Sequence, residues 1–419
     1  MLDLKFIREN PEIVKEGCKK KGFDIDIDKV LELDKENRLL IKEIERIRFE
    51  KNRISKMIPK MREKEKKETI LRMKNLDEKE DEFKKKKKAI EKKLNDFLSS
   101  IPNLPFEDVP VGRDESQNVV LREVGKKPDF DFEPKDYLEI GEKLDLIDVK
   151  RAAKTSGTRF GYIKRELVLM EFALIKLAFD VLTKEGFIPV LPPVMLKKEM
   201  ARGTGYFEAT DVKEAYFIPE DNLFLIGTAE QSLLTMHANE VFEGNELPKR
   251  YLGFSTCFRR EAGSYGKDTR GIFRVHQFDK VEMFSFCKPE DSRKEHQFFL
   301  EMEEKLMQIL KIPYRVVQIC TGDLGRPAAA KYDIEAWFPS ENRYRETHST
   351  SNCTDYQARR LNIKYRDKSG KLNFVHTING TAFSQRPLLA ILENYQKKDG
   401  SVEIPEALQK YLDFKEIKR

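Results

Sequence analysis

From Thr256 to Phe284 the chain reads T-C-F-R-R-E-A-G-S-Y-G-K-D-T-R-G-I-F-R-V-H-Q-F-D-K-V-E-M-F, and side chains capable of chemistry recur through it at short spacing. Read bare, the stretch is a strand, a long Gly-rich polar loop and a returning strand. Arg259 and Glu261 lie two apart, which on a strand puts them on one face. Arg274 and Phe278 fall on the returning side. An arginine, a carboxylate and an aromatic ring on one sheet face suit a nucleotide. The guanidinium meets phosphate, the ring stacks on a base, and the carboxylate accepts from an exocyclic amine. A lone F-R-x-E is more often a hairpin with surface ion pairs, so this reading needs support from the rest of the chain.

Those residues require a sheet to position them. Strand-like runs are expected at 187–191, 223–226, 250–258, 271–277 with 280–286, 314–319, 332–338, 343–349 and 374–378. Helices are expected at 166–184, stopped by Gly186, and at 229–239, 289–310 and 387–396. Strands mostly follow strands, which predicts an α+β body: an antiparallel sheet with flanking helices. Neither G-x-x-x-x-G-K-[ST] nor a G-x-G-x-x-G after a strand occurs, so the nucleotide loops of parallel α/β folds are missing.

Ahead of the body the pattern changes. Residues 1–28 read as a short helix and a linker. Then Leu33, Asn37, Leu40, Ile44, Ile47, Lys51, Ile54 and Ile58 follow a heptad seam with two polar interruptions. A second seam combines Leu76, Phe83, Ile90 and Phe97 with Met73, Glu80, Lys87 and Leu94. Two helices of about 30 residues, turning between Pro59 and Glu68, make an antiparallel coiled-coil hairpin roughly 45 Å long over 29–98. That segment holds 24 Lys/Arg against 16 Asp/Glu, a net +8 where the whole chain is +6. The basic excess is therefore confined to the arm, and it includes a lysine run at 84–88. A charge run is commonly just a solvated face, but a protruding basic hairpin also suits nucleic-acid phosphate. The proline-rich stretch 99–115 reads as the linker to the body.

Composition narrows the class. Hydrophobic residues at 39% can build a sizeable core, and charged residues at 36% fit long exposed helices. The five cysteines are scattered without a C-x-x-C pair, which argues against a disulfide framework or zinc cluster and suits a reducing cytoplasm. The first ten residues are charged and show no signal-peptide core. The most apolar stretch, 167–182, is broken by Glu171, Lys176 and Asp180, so no membrane span is expected. His276, His237 and His376 are read as structural, since no nucleophile–base pair is visible.

The 256–284 block resembles motif 2 of class II aminoacyl-tRNA synthetases, and its R-E-A-G-S-x-G-x-D-T-R-G-x-x-R-x-H-Q-F-D-K-V-E form is similar to that of seryl-tRNA synthetases. The resemblance covers nearly the whole chain. It takes in the coiled-coil arm, I-P-N-L-P at 101–105, V-P-V-G at 109–112, and a motif 1-like 187–194 with its interface proline at Pro192 or Pro193. Further matches are Gly203-Thr204-Gly205, Thr228-Ala229-Glu230, C-T-G-D-L-G at 320–325, and 331–337. It implies a tRNA-binding domain over 1–105 and a class II catalytic domain over 106–419. The implied activity is ATP-dependent activation of L-serine and its transfer to tRNA(Ser), with tRNA(Sec) a second candidate acceptor, in a cytoplasmic homodimer.

The resemblance also implies a site. Nucleotide contacts would come from Arg259, Arg260, Glu261, Arg274, Phe278, Thr347, His348 and Arg386. Glu346 and Ser349 would hold the Mg²⁺ that accompanies ATP. Serine would be held by Thr228, Ala229, Glu230, Arg259, Glu282, Asn379 and Thr381, with Arg259 and Arg386 the catalytic cations. Lys267 would meet the tRNA acceptor end. Three departures stand out: Gly227 where the family often has proline before T-A-E, His348 where it has a small residue, and a motif 3 stretch, N-G-T-A-F-S-Q-R-P, one residue short. The competing readings are a catalytically silent tRNA-binding paralogue, a carrier-protein ligase of the same fold, and a coiled-coil scaffold. The second lacks a long arm, and the heptads needed by the third cover about a sixth of the chain.

Overall fold

The computed structural model describes residues 1–206, 211–262 and 270–419. It divides into two compact units, one of Leu2–Lys19 and Phe23–Pro102, the other of Asn103–Arg419 with Met1 and Lys20–Gly22.

In the first unit, residues 1–28 form two short helices rather than one, α1 (Leu4–Glu9) and α2 (Pro11–Lys20). The hairpin follows as α3 (Ile27–Met57) and α4 (Glu63–Ser100). Asp26 caps α3 by accepting from the Lys29 N–H at 2.9 Å. The turn is tighter than expected: Pro59 sits in a single 3₁₀ turn, Ile58–Lys60, and α4 has begun by Glu63. Leu33, Ile44, Ile47, Ile54, Ile90 and Leu94 are buried along the seam, as the heptads require. Polar seam positions of the two helices meet: Glu80 receives Lys51 Nζ at 2.7 Å and Arg48 Nε at 3.0 Å from the opposite helix. Along the lysine run, Lys84, Lys86 and Lys87 pair with Glu80, Glu82 and Glu91 of their own helix. The Lys86 and Lys87 pairs are solvent-accessible, and such pairs contribute little to stability.

The second unit is the expected α+β body. Its main sheet is built from β1 (Val119–Val124), β2 (Ile188–Val190), β3 (Lys249–Phe258), β4 (Gln277–Cys287), β5 (Tyr314–Gln318), β6 (Ala330–Phe338), β7 (Arg343–Asn352) and β8 (His376–Ser384). The order is β1-β5-β6-β7-β8-β4-β3-β2, antiparallel throughout except that β2 runs parallel to β3. The helices α5 (Glu166–Leu182), α6 (Ala229–Thr235), α7 (Ser292–Ile309), α8 (Tyr356–Leu361) and α9 (Gln385–Asn394) pack around it. Leu174, Phe299 and Leu389 from α5, α7 and α9 join Leu252, Met283, Ile334 and Ile378 in one large core under the sheet. On the opposite face, a smaller core of Leu233, Tyr251, Phe284 and Leu361 walls off one end.

The sequence expectations differ from this structure in identifiable places. The segment 271–276 is not a strand; Gly271 takes φ +76° and the returning strand starts at Gln277. The last strand extends to Ser384, well past the expected 378. All five cysteines are free and buried. Among the described residues, no helix is long and apolar enough to cross a membrane.

Candidate active site

Strand alternation places Phe278, Lys280 and Glu282 of β4 on the sheet face opposite the large core. Across β3 they stand against Cys257, Ser255 and Gly253, and across β8 Glu282 stands against Thr381. Farther along the face, Ser349 of β7 opposes Asp333 of β6. An open cleft lies over these strands, lined by Arg259, Glu261, Arg274, Phe278, Lys280, Glu346, Thr347, Ser349, Thr381 and Arg386.

Two β-bulges shape the cleft. In β7, Glu335 pairs with Glu346 and Ile334 with His348, so Thr347 is an extra residue. On a regular strand Glu346 and Ser349, three apart, face opposite ways; the bulge brings both to the cleft. In β8, Val281 pairs with Phe383 and Glu282 with Thr381, which leaves Ala382 as the extra residue. Ala382 and Phe383 both turn into the core while Thr381 stays on the site face.

At one end of the cleft the groups suit a nucleotide. The Arg259 guanidinium lies 5.2 Å from the Phe278 ring centroid, and its Nε donates to the Gly227 carbonyl at 3.2 Å. Glu261 lies beyond the end of β3 and reaches the cleft through a left-handed turn (φ +52°), not through strand alternation as expected. Its Oε2 accepts from Arg274 at 2.7 Å. Arg386 is in the first turn of α9, whose cap Ser384 also lines the cleft, so the helix N-terminus adds positive potential there. β8 passes into α9 with no intervening loop.

Arg386 Nη1 lies 3.1 Å from Glu346 Oε2. Enclosure pushes the Glu346 carboxyl up, but the charges of Arg386, Lys331 and Arg259 outweigh it and hold the group down at about 2. It is therefore an ionised hard oxygen donor at neutral pH. Together with the Ser349 hydroxyl it offers a partial ligand set, and among the described residues no cluster of three or more His, Cys, Asp or Glu side chains makes a complete cage. That donor set fits Mg²⁺, which commonly binds through one or two carboxylates plus substrate phosphates.

At the other end lie buried acids. Thr228 caps α6, and Glu230 follows in its first turn, 2% exposed. Glu230 accepts from Gln357 Nε2 at 2.8 Å and from the Tyr206 hydroxyl at 3.1 Å. Gln357 in turn accepts from the Thr377 hydroxyl at 2.6 Å, which ties α6 to β8 through α8. Burial, with the nearby Glu282 charge adding to it, raises the Glu230 carboxyl to about 7. Glu282 is 1% exposed and is likewise pushed up by burial, with Lys280 opposing. Asn379 is buried two residues before Thr381, its Nδ2 3.7 Å from Cys353 Sγ.

Several expected contacts fall elsewhere. Arg260 turns away from the cleft, with its guanidinium 5.6 Å from the Tyr216 ring. His348 faces the core side of the β7 bulge beside Phe383, and burial lowers its imidazole to about 3, so it is neutral packing rather than a phosphate contact. The Ala229 methyl packs in the smaller core, where α6 crosses β3 so closely that a Cβ at Gly253 would lie 3.1 Å from it. Lys267 lies outside the described residues. His276 Nδ1 donates to the Arg259 carbonyl at 3.0 Å, a structural bond. Sequence reasoning overlooked Lys280, Gln357 and Tyr206. Period-two alternation between Phe278 and Glu282 was the available signal for Lys280; nothing local marks the other two.

Comparison with known proteins gives an independent result. The family model for the Seryl-tRNA synthetase N-terminal domain matches residues 1–105, and that for the tRNA synthetase class II core domain (G, H, P, S and T) matches 214–395. A serine–tRNA ligase from Dictyoglomus turgidum is 45% identical, with 100% of this chain and 99% of the relative aligned. Among solved structures, seryl-tRNA synthetase from Pyrococcus horikoshii complexed with ATP superposes with a TM-score of 0.93 at 44% identity, covering 100% of this chain and 99% of the other. The cytoplasmic serine–tRNA ligase of Naegleria fowleri in complex with AMP gives 0.86 at 37% identity, with the same coverage.

Proposed function

The chain belongs to the seryl-tRNA synthetases of class II, and from that premise we propose that it activates L-serine with ATP and transfers it to the 3′-terminal adenosine of tRNA(Ser). The observation that carries this reading is one sheet face holding Arg259 and Phe278 beside the buried acids Glu282 and Glu230.

Phe278 stacks on adenine and Glu261 accepts from its amine, released from Arg274 to do so. Arg259 meets the α-phosphate and the serine carboxylate, and Arg386 meets the γ-phosphate side. Glu346 and Ser349 would hold Mg²⁺, whose charge would neutralise the phosphates and ease departure of pyrophosphate. No protein nucleophile is needed. A serine carboxylate oxygen bonds to the α-phosphorus, the bond to the β-phosphate oxygen breaks, and pyrophosphate leaves. The terminal ribose hydroxyl then attacks the serine carbonyl, loses its proton, and AMP departs. The protein supplies alignment and charge neutralisation.

Glu230 and Glu282 take the serine ammonium and hydroxyl, with Thr228, Asn379 and Thr381 around them. A pocket built to bond a hydroxyl rejects alanine because its buried polar groups would be left unpaired. The basic arm supplies phosphate contacts for the tRNA.

The working state is a cytoplasmic homodimer. Supporting this, Leu169 and Phe172 of α5 and Ile188 and Leu191 around the edge strand β2 are exposed apolar side chains, next to Pro192 and Pro193. A monomer in light scattering at micromolar concentration would contradict it. The activity is tested by ATP–pyrophosphate exchange with each of the twenty amino acids. Exchange with serine alone is expected; exchange with none, or preference for another amino acid, overturns the reading.

A further inference from the structure

Three side chains stand at two-residue steps on the site face of β4: Phe278, Lys280 and Glu282. At about 3.4 Å per residue these steps span the join between the nucleotide end and the acid end. Lys280 occupies that join. It lines the cleft yet is only 8% exposed, and its ammonium makes an ion pair with Oε2 of Glu282. That oxygen is fully buried, and the Glu282 carboxyl is engaged by Lys280 and by the Thr228 hydroxyl.

The surroundings make this cation consequential. Glu230 approaches Glu282 from α6 and Glu303 from α7, and both are buried acids. Tyr206 and Cys257 also face it, each pushed upward by burial. Among the described residues, the cations acting on Glu282 include Lys280 and, at the end of β3, Arg259. Arg259 is directed elsewhere, over Phe278 and onto the Gly227 carbonyl. A buried carboxylate without a matched cation takes up a proton instead of keeping its charge.

We propose that Lys280 is a positioning residue of the amino-acid pocket: it grips Glu282, holds that carboxylate in place for the substrate ammonium and hydroxyl, and so sets serine affinity while leaving ATP binding alone. This rests on the reading of the cleft as a serine-activating site. A lysine suits the role because a compact point charge on a flexible stem reaches one oxygen from a neighbouring strand position.

The test is steady-state ATP–pyrophosphate exchange by the full chain, with KM for serine and for ATP measured separately across pH. Lys280→Met is expected to raise the serine KM about 10- to 100-fold, as loss of a charged hydrogen-bonding partner does, with the ATP KM within about twofold. The acid limb of kcat/KM for serine should move to higher pH, because Lys280 favours the ionised form of Glu282. Lys280→Arg should recover a large part of the serine KM. An unchanged serine KM, or equal rises in both KM values with the acid limb fixed, overturns the proposal. If melting curves show Lys280→Met unfolded, Lys280→Gln and Lys280→Arg read the same split with the same two outcomes. Failure of the unmodified chain to exchange serine would instead overturn the serine-activating reading, and Lys280's role with it.

Discussion

Removing the Phe278 ring deprives a bound base of its platform. Stacking of a base on an aromatic side chain is worth about 1–3 kcal/mol, so Phe278→Ala should raise the ATP KM roughly 5- to 100-fold and leave the serine KM nearly unchanged. Glu230→Ala should do the reverse, and equal loss of both substrates would contradict the division of the cleft. Because the free Glu230 carboxyl sits at about 7 and serine brings a cation, kcat/KM for serine should fall as pH drops through that value. A pH-independent serine profile from 6 to 8 would count against it. Much of the residue-level site was legible: Arg259, Phe278, Glu282 and Thr381 line or adjoin one cleft, and each stood in a recognisable motif. Lys280 was passed over because a lysine in a strand reads as a solvated edge until burial is known. Arg260, implied by the resemblance, turns away from the cleft, as neighbours on extended chain point opposite ways.

Individual elements were legible where periodicity dominates. The arm helices followed from their heptads, since a seam repeated over nearly four heptads leaves little ambiguity. Their polar seam positions make a prediction. Lys51, Lys84 and Arg48 hold the Glu80 carboxyl at about 2, against an ordinary 4.5. A depressed acid stabilises above its unfolded value, so this contribution is complete above about pH 4.5 and is lost as pH falls toward 2. Glu80→Ala should loosen the hairpin by about 1–2 kcal/mol, reduced from the value of a fully buried network because Arg48 is largely exposed. Hydrogen exchange of the α3 and α4 amides reads this directly, and serine-dependent pyrophosphate exchange should not change. Unaltered protection would show the pairing to be passive. The bulges in β7 and β8 were not legible, because an inserted residue has no signature in composition, only in register. The end of β8 was missed because Asn379 and Gly380 are poor strand formers, overridden here by pairing on both sides.

At the scale of the whole molecule, the division of labour follows from charge and topology. The basic excess lies in the hairpin, while the cleft lies in the body. Replacing residues 29–98 with a short Gly-Ser turn should therefore spare serine-dependent pyrophosphate exchange and reduce tRNA(Ser) charging by at least tenfold. Loss of even a few phosphate contacts is ample for that. Undiminished charging would refute the arm's role. The most direct test of the account is a crystal structure with a non-hydrolysable seryl-adenylate analogue. The account predicts adenine against the Phe278 ring, its amine at Glu261, the phosphate mimic at Arg259, and the serine ammonium among Glu230 and Glu282. An analogue bound away from β4, or reversed so that its base lies among the buried acids, would contradict it.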